Sequence, residues 1–500
     1  MKKVIFLSTL LITSALSMTV MAEAQSWSCG QNCTATLTDG VMTVSGTGSM
    51  DDYTADTIPW KDSIESITSV VVQSGITNLG VRSFQGASNV TSVSLPEGLT
   101  SIADGAFNKA SSLTSINVPS TVTSIGNGAF QYATSLQNID LPDGLTSIGT
   151  HAFNHAESLV SIDIPESVTS IGRTAFQYAT SLESVTLPSG LTEIGDYMFN
   201  HAESLKSLVI PDGVTSIGRT AFQGTTSLES INIPSGVTSI QDYTFSGAEN
   251  LKNITLPDGI TSIGYASFAN TNNLESINIP DSIESIGDFA FRNAYALTSI
   301  EFPEGLQTIG NSAFEATSLG SVELPDSVIS IGSYAFGQAY AYNDYLTGRI
   351  DTIILGENIQ EIGDTAFSRN TATSIVLPES LFADGRELNP FAFEYSNIAT
   401  VYCPEGNQKC LSFTPMHCTG DIDEDGRTCL GEIVPSSIQL TQETYKIAPD
   451  GSYILNGVKY ASFSSMQKNE NGRAIKRIYT VDEAQALSKA TGNKFSIRYK

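Results

Sequence analysis

Asp421, Asp423 and Asp425, followed by Gly426, Arg427 and Glu432, have the spacing of a twelve-residue calcium loop. Carboxylates at the first, third, fifth and last positions converge hard oxygen ligands on one Ca²⁺. Gly426 makes the sharp turn, and the Arg427 carbonyl adds a further oxygen. The pattern departs from the usual loop at Thr428, where an aliphatic residue normally stands, and at Cys429. No flanking helices are evident, so the competing reading is an acidic turn clipped between Cys418 and Cys429. Calcium is the one cofactor that the sequence suggests. The four histidines, His151, His155, His201 and His417, offer no second site. His155 and His201 fall two repeats apart, about 10 Å at strand spacing, whereas a metal ion needs its ligands about 2 Å from its centre. H-E-x-x-H, G-x-S-x-G and the phosphate-cradling G-x-x-x-x-G-K-[ST] are absent from the sequence, and no residue constellation points to catalysis. The chain reads as a binding protein and not as an enzyme.

The elements that must position these residues come from a repeat. Phenylalanine stands at Phe84, Phe107, Phe130, Phe153, Phe176, Phe199, Phe222, Phe245, Phe268, Phe291 and Phe314, every 23 residues without a slip. Weaker copies at Phe336, Phe367 and Phe393 bring the total to about fourteen units over residues 70–402. A fixed period of this length marks a solenoid. In the copy from Leu159 to Pro165 a strand turns its first, fourth and sixth positions inward. Pro165 cannot donate to a ladder and so ends the strand. Thr146-Ser147-Ile148-Gly149 supplies a second short extended piece, and Ala152 and Phe153 plug the interior. One such coil leaves two open faces, which stacked neighbours cover. Like positions then lie about 4.8 Å apart. The outward second strand position runs Glu183, Lys206, Glu229, Lys252, Glu275, and alternating sign suits neighbours at that distance.

The unit Ile-Pro…Val-Thr-Ser-Ile-Gly…Ala-Phe…Leu-x-Ser-Ile resembles the BspA-like bacterial leucine-rich repeats. The segment from Cys29 through Asp39-Gly40 and Ser49-Met50-Asp51-Asp52-Tyr53 to Pro59-Trp60 is similar to that family's N-terminal cap. The resemblance covers residues 27–402, about three quarters of the chain. It implies a repeat solenoid of leucine-rich-repeat type, with a β-strand plus a short extended or helical turn in each unit. A disulfide-stapled C-terminal cap and a small α+β tail complete the expected fold. It also implies a secreted or surface-displayed adhesion protein whose partner is a host matrix protein, a glycan or another cell. Individual ligand residues do not follow from it. The rival reading is a structural envelope protein that self-associates through its repeats.

On such strands the third and fifth positions face the concave surface, either as a ligand-binding face or simply as a solvated strand surface. The third is almost always Ser, and the fifth is mostly polar, ending in Glu301 and Glu323. Hydroxyls, amides and acids make a wide hydrogen-bonding face, better matched to an extended macromolecule than to a small molecule in a pocket. Residues 337–350 lengthen one repeat and hold Tyr340, Tyr342 and Tyr345. Insertions in repeat arrays become loops, often on the binding face, so these tyrosines with Glu301 and Glu323 form the candidate contact region. A tolerated surface insertion is the alternative. The run Tyr132, His155, Tyr178, His201 reads as duplicated surface or partly packed side chains, with a contact patch as the second possibility.

The ends of the chain differ from the body. Lys2 and Lys3 precede an apolar run that closes on Ala22-Glu23-Ala24, the pattern of a signal peptide over residues 1–24 cut before Gln25. It is not expected to span a membrane. Residues 25–69 form the N-terminal cap, 403–434 the Cys-rich cap and 435–500 a basic module. Six cysteines, Cys29, Cys33, Cys403, Cys410, Cys418 and Cys429, are an even set with fifteen possible pairings, and their clustering favours local bridges. The chain carries 25 Lys and Arg against 52 Asp and Glu, a formal charge of −27, which argues against nucleic acid as a partner. Residues 466–500 reverse the sign, with eight basic residues and three acidic ones.

Overall fold

The computed structural model describes residues 24–338, 350–413, 416–418, 433–435, 441–455, 458–461, 463, 466 and 467. Within them the chain winds into a solenoid whose coils each give two short parallel strands to two faces. On one face Ser161–Asp163 pairs with Ser184–Thr186, and on the other Ser147–Ile148 lies between Ser124–Ile125 and Ser170–Ile171. The inward positions are those expected: Leu159, Ile162 and Ile164 are buried, as are Ala152 and Phe153. The repeated Phe rings, Phe84 through Phe393, form one continuous stack with centroids 5.1 to 6.0 Å apart. Rings in neighbouring coils are nearly parallel, as with Phe107 and Phe130 at 7°.

The turn that carries each Phe is neither a strand nor a helix. His151 N, Phe153 N and His155 N donate to the next coil, at Arg173 O, Ala175 O and Gln177 O. The residues between them, Ala152 and Asn154, donate within their own coil to Gly149 O and His151 O. This alternation puts left-handed backbone on both sides of the ring, at His151 (φ 59°) and His155 (φ 58°). The same two columns hold Thr174, Tyr197 and Thr220 before the Phe, and Lys109, Tyr132, Tyr178 and His201 after it. Left-handed backbone at residues with a Cβ costs on the order of 1 kcal/mol each. The bonds to the next coil offset that cost, and a single coil would not hold the conformation.

Both ends of the ring stack are closed by aromatic side chains. Three antiparallel strands, Gln25–Gly30, Cys33–Thr38 and Val41–Gly46, come first among the described residues, and Val41–Val44 pairs in parallel with Ser69–Val72. Behind them Trp60 is fully buried, its ring 5.9 Å from Phe84 and its Nε1 donating to Ser83 O at 3.0 Å. Trp27 and Tyr53 meet Trp60 edge-on. At the far end Phe413 stands at 89° to Phe393. The cysteines pair locally as Cys29–Cys33 and Cys403–Cys410, with Cα atoms 5.0 and 5.7 Å apart. Cys429, and the side chain of Cys418, lie outside the described residues.

Replacing one ring at mid-stack is the direct test of this core. Phe199→Ala is expected to lower stability by about 3–5 kcal/mol, read from chemical denaturation. A loss below about 1 kcal/mol would mean that the stack is not what holds the coils together.

Candidate functional site

The outward face of the first strand column is a broad polar surface. Its third and fifth positions are exposed from Ser92 and Ser94 as far as Ser299 and Glu301, then half-buried at Ser321 and Glu323. Its side chains are tied into rows. Thr186 Oγ1 donates to Asp163 Oδ1 at 2.7 Å, and Ser276 Oγ to Asn253 Oδ1 at 2.6 Å. Asn232 makes two bonds to one residue of the coil before it, accepting from Ile210 N and donating to Ile210 O, both at 2.9 Å. Asn278 holds Leu256 in the same way. Val209 breaks the polar row and is 78% exposed. At the second position of the same strands Lys206 Nζ lies 2.9 Å from Glu183 Oε2, as the alternating charges suggested. Both groups are more than half exposed, and such a pair contributes little to stability.

Glu301 and Glu323 occupy this face in successive coils, in the column where the sequence set them. Tyr340, Tyr342 and Tyr345 lie outside the described residues, as do Asp421, Asp423, Asp425, Arg427 and Glu432. Among the described residues no group of three or more His, Cys, Asp or Glu side chains could hold a metal ion. Nor is any helix there long and apolar enough to cross a membrane.

The edge formed by the Phe turns carries two further ladders. Tyr132, His155, Tyr178 and His201 stack face to face at 4.6, 4.5 and 5.0 Å. His155 Nδ1 lies 3.3 Å from Glu157 Oε1, and His201 Nδ1 3.6 Å from Glu203 Oε1. One position nearer the core, Asn108, Gln131, Asn154, Gln177 and Asn200 pass amide bonds from coil to coil, each donating to the next. His151 is half-buried, with Thr174 Oγ1 2.7 Å from its Nδ1. Burial, with the Arg173 charge beside it, holds the imidazole below its ordinary pKa. These contacts are internal, so the aromatic run is a packed ladder as well as a surface.

The repeat pattern of the BspA type leucine rich repeat region matches residues 62–177, 101–229, 215–343 and 338–419. The chain belongs to the BspA-type leucine-rich-repeat family. A leucine-rich repeat protein from Bacteroides ovatus is 25% identical, covers 72% of this chain and 98% of its own, and superposes with a TM-score of 0.53. One from Eubacterium ventriosum is 27% identical over 60% of this chain and 96% of its own, with a TM-score of 0.42. A leucine rich cell surface protein from Faecalibacterium prausnitzii is 25% identical over 55% and 94%, with a TM-score of 0.35. No curated protein matches.

The BspA-type solenoid does not leave its outward face open to the end. Beyond Glu323 the fifth position turns apolar, at Ile354, Val376 and Tyr402, all buried. The described residues between Thr441 and Gln467 cover this end. Thr441–Ile447 extends the ladder in parallel with Thr400–Pro404, then turns back antiparallel through Tyr453–Leu455 and Val458–Tyr460. Val376, Tyr402, Tyr445, Leu455, Tyr460, Phe463 and Met466 make a second, smaller core. Three polar side chains fix the cover. Tyr445 OH donates to Leu377 O at 3.1 Å, Tyr453 OH to Glu357 Oε2 at 2.7 Å, and Gln467 holds both N and O of Leu355. Sequence reasoning missed this cover. The switch of one outward column from Asn, Asp and Glu to Ile, Val and Tyr was the available signal.

Burial pushes the Tyr445 hydroxyl far above its ordinary pKa of 10.0, and burial with the Glu357 hydrogen bond raises Tyr453. Ionisation is therefore harder in the folded chain. The stability these groups contribute is intact below pH 10 and is lost as pH climbs through their raised values. The cover is expected to loosen in that alkaline range before the Phe stack does, seen as early amide exchange at Thr441–Ile447. Tyr445→Phe, which leaves Leu377 O without its donor, is expected to destabilise the cover by about 1–3 kcal/mol. Unchanged exchange in this variant would remove Tyr445 from the account.

Proposed function

We propose that this protein is exported and works at the cell surface or beyond it, binding a macromolecule along the exposed strand face of its solenoid. The observation that carries the reading is the contrast along one column. The same outward face is polar and open up to Glu301, and apolar and sealed by the chain itself from Ile354 onward. An apolar surface has been covered internally, whereas a surface of hydroxyls, amides and carboxylates has been left free over many coils. Such a face suits an extended protein or glycan that makes many hydrogen bonds. The net charge of −27 weighs against nucleic acid. The family is one of repeat scaffolds, which supports binding in place of catalysis.

Glu301 and Glu323, with Tyr340, Tyr342 and Tyr345, are the contact residues of this reading, and Asp421, Asp423, Asp425, Arg427 and Glu432 are its calcium loop. Binding of the exported chain to an array of matrix proteins and glycans is expected to saturate. Ser207→Trp with Ser230→Trp, two bulky side chains on the open face, is expected to weaken that binding at least about tenfold with no change in Tm. Equal binding by this variant would move recognition off the strand face. Titration with Ca²⁺ is expected to show one site per chain, lost in Asp421→Asn with Asp423→Asn. No heat change in the wild type would leave the acidic turn as the reading of that loop. Absence of binding to every array member, together with concentration-dependent association in light scattering, would favour the structural envelope protein.

A further inference from the structure

Gln25 opens the first strand among the described residues, Gln25–Gly30, in register with Leu37. The signal-peptide pattern ends at the peptide bond just before it, after Ala22-Glu23-Ala24. Cleavage there turns Gln25 into a residue with a free α-amine and a side-chain amide carbon within reach of a five-membered ring. Nucleophile and electrophile are then on one residue, and such intramolecular pairs react with high effective molarity. The amide is exposed and not packed in the core. Its Oε1 accepts a hydrogen bond from Ser63 Oγ at 2.8 Å, across 38 positions of sequence.

We infer that Gln25 of the mature chain closes to pyroglutamate, with the Ser63 hydroxyl holding and polarising the amide that is attacked. The α-nitrogen adds to Cδ, and a new N–Cδ bond forms. Oxygen Oε1 takes up negative charge in the tetrahedral adduct, and a hydroxyl donor at that oxygen stabilises it. The Cδ–Nε2 bond then breaks, and Nε2 leaves as ammonia with one proton from the α-nitrogen. No oxidant, metal or second substrate enters the balance. Ser63 sits in the 3₁₀ turn Lys61–Ser66, directly after the buried Trp60, so the donor belongs to a fixed part of the cap.

The lactam has a use that the cap makes clear. Aminopeptidases need a free amine, and the residues they would remove first are Gln25, Ser26 and Trp27. Trp27 packs edge-on against Trp60 with centroids 6.2 Å apart, and Trp60 closes the Phe stack. A blocked terminus therefore guards the first layer of the solenoid.

This inference rests on leader removal before Gln25, and the test separates the two. Protein exported with its own leader is purified and its intact mass and N-terminal sequence are read. A blocked terminus is expected, with a mass one ammonia below that of residues 25–500. Pyroglutamyl peptidase should then release the block and expose Ser26-Trp27-Ser28. Ser63→Ala is expected to slow conversion of freshly exported chain several-fold at unchanged Tm, with Ser63→Thr restoring the rate. Gln25→Ala is expected to be trimmed by aminopeptidase and to lose Tm, while the wild type resists. A readable Gln25-Ser26-Trp27 sequence at full mass after incubation would overturn the lactam and leave the leader reading standing. A readable sequence starting elsewhere would overturn both. Equal conversion in Ser63→Ala would overturn the part given to Ser63.

Discussion

Parallel backbone hydrogen bonds hold adjacent coils about 4.8 Å apart, so any side chain repeated at the coil period meets a copy of itself. Few residue types tolerate that. Phe does, by stacking its rings offset and nearly parallel. Asn and Gln do, because an amide both donates and accepts. The row from Asn108 to Asn200 passes one bond per coil without a break. Carboxylates do so only where they face water, as at Asp140 and Asp163, and several are turned elsewhere. Asp104, Asp196 and Asp288 each accept from the backbone N of the next coil, at Asn127, Arg219 and Asn311. Part of the chain's acidity thus serves internal bonds between coils.

The same constraint explains the irregular parts. Left-handed backbone beside each Phe is unfavourable in a lone coil and holds only because alternate N–H groups find carbonyls one coil away. A stack of this kind has no natural end, so it is finished with groups of a different shape. Trp60 and Phe413 meet the terminal rings, with Trp27 and Tyr53 set edge-on behind Trp60.

How much could be read beforehand follows from where the information sits. The coil period, the inward positions and the pairing of Lys206 with Glu183 depend on residue types at fixed spacing, and all were legible. The local bridges Cys29–Cys33 and Cys403–Cys410 follow the clustering of the cysteines. The left-handed columns were not legible. Gly86, Gly224 and Gly247 share a column with Tyr132 and His155, yet Tyr and His do not announce that conformation, which the neighbouring coil imposes. The cover over Ile354, Val376 and Tyr402 was hidden for another reason. Its partners lie many residues downstream, and no local pattern connects them. Of the candidate site, Glu301 and Glu323 stand in the expected column, while the tyrosine insertion and the acidic loop lie outside the described residues.

Gln467 accepts from Leu355 N and donates to Leu355 O, in a coil that the strands Ser374–Val376 and Thr400–Pro404 follow. The last described residue is therefore held on the flank of the solenoid and not at its tip. A tension applied at Gln467 would reach the array sideways. It would fall first on Gln467, Tyr453 and Tyr445, and only later on the strand ladder. The small second core would then act as a mechanical fuse, yielding before the coils that present the open face are pulled apart.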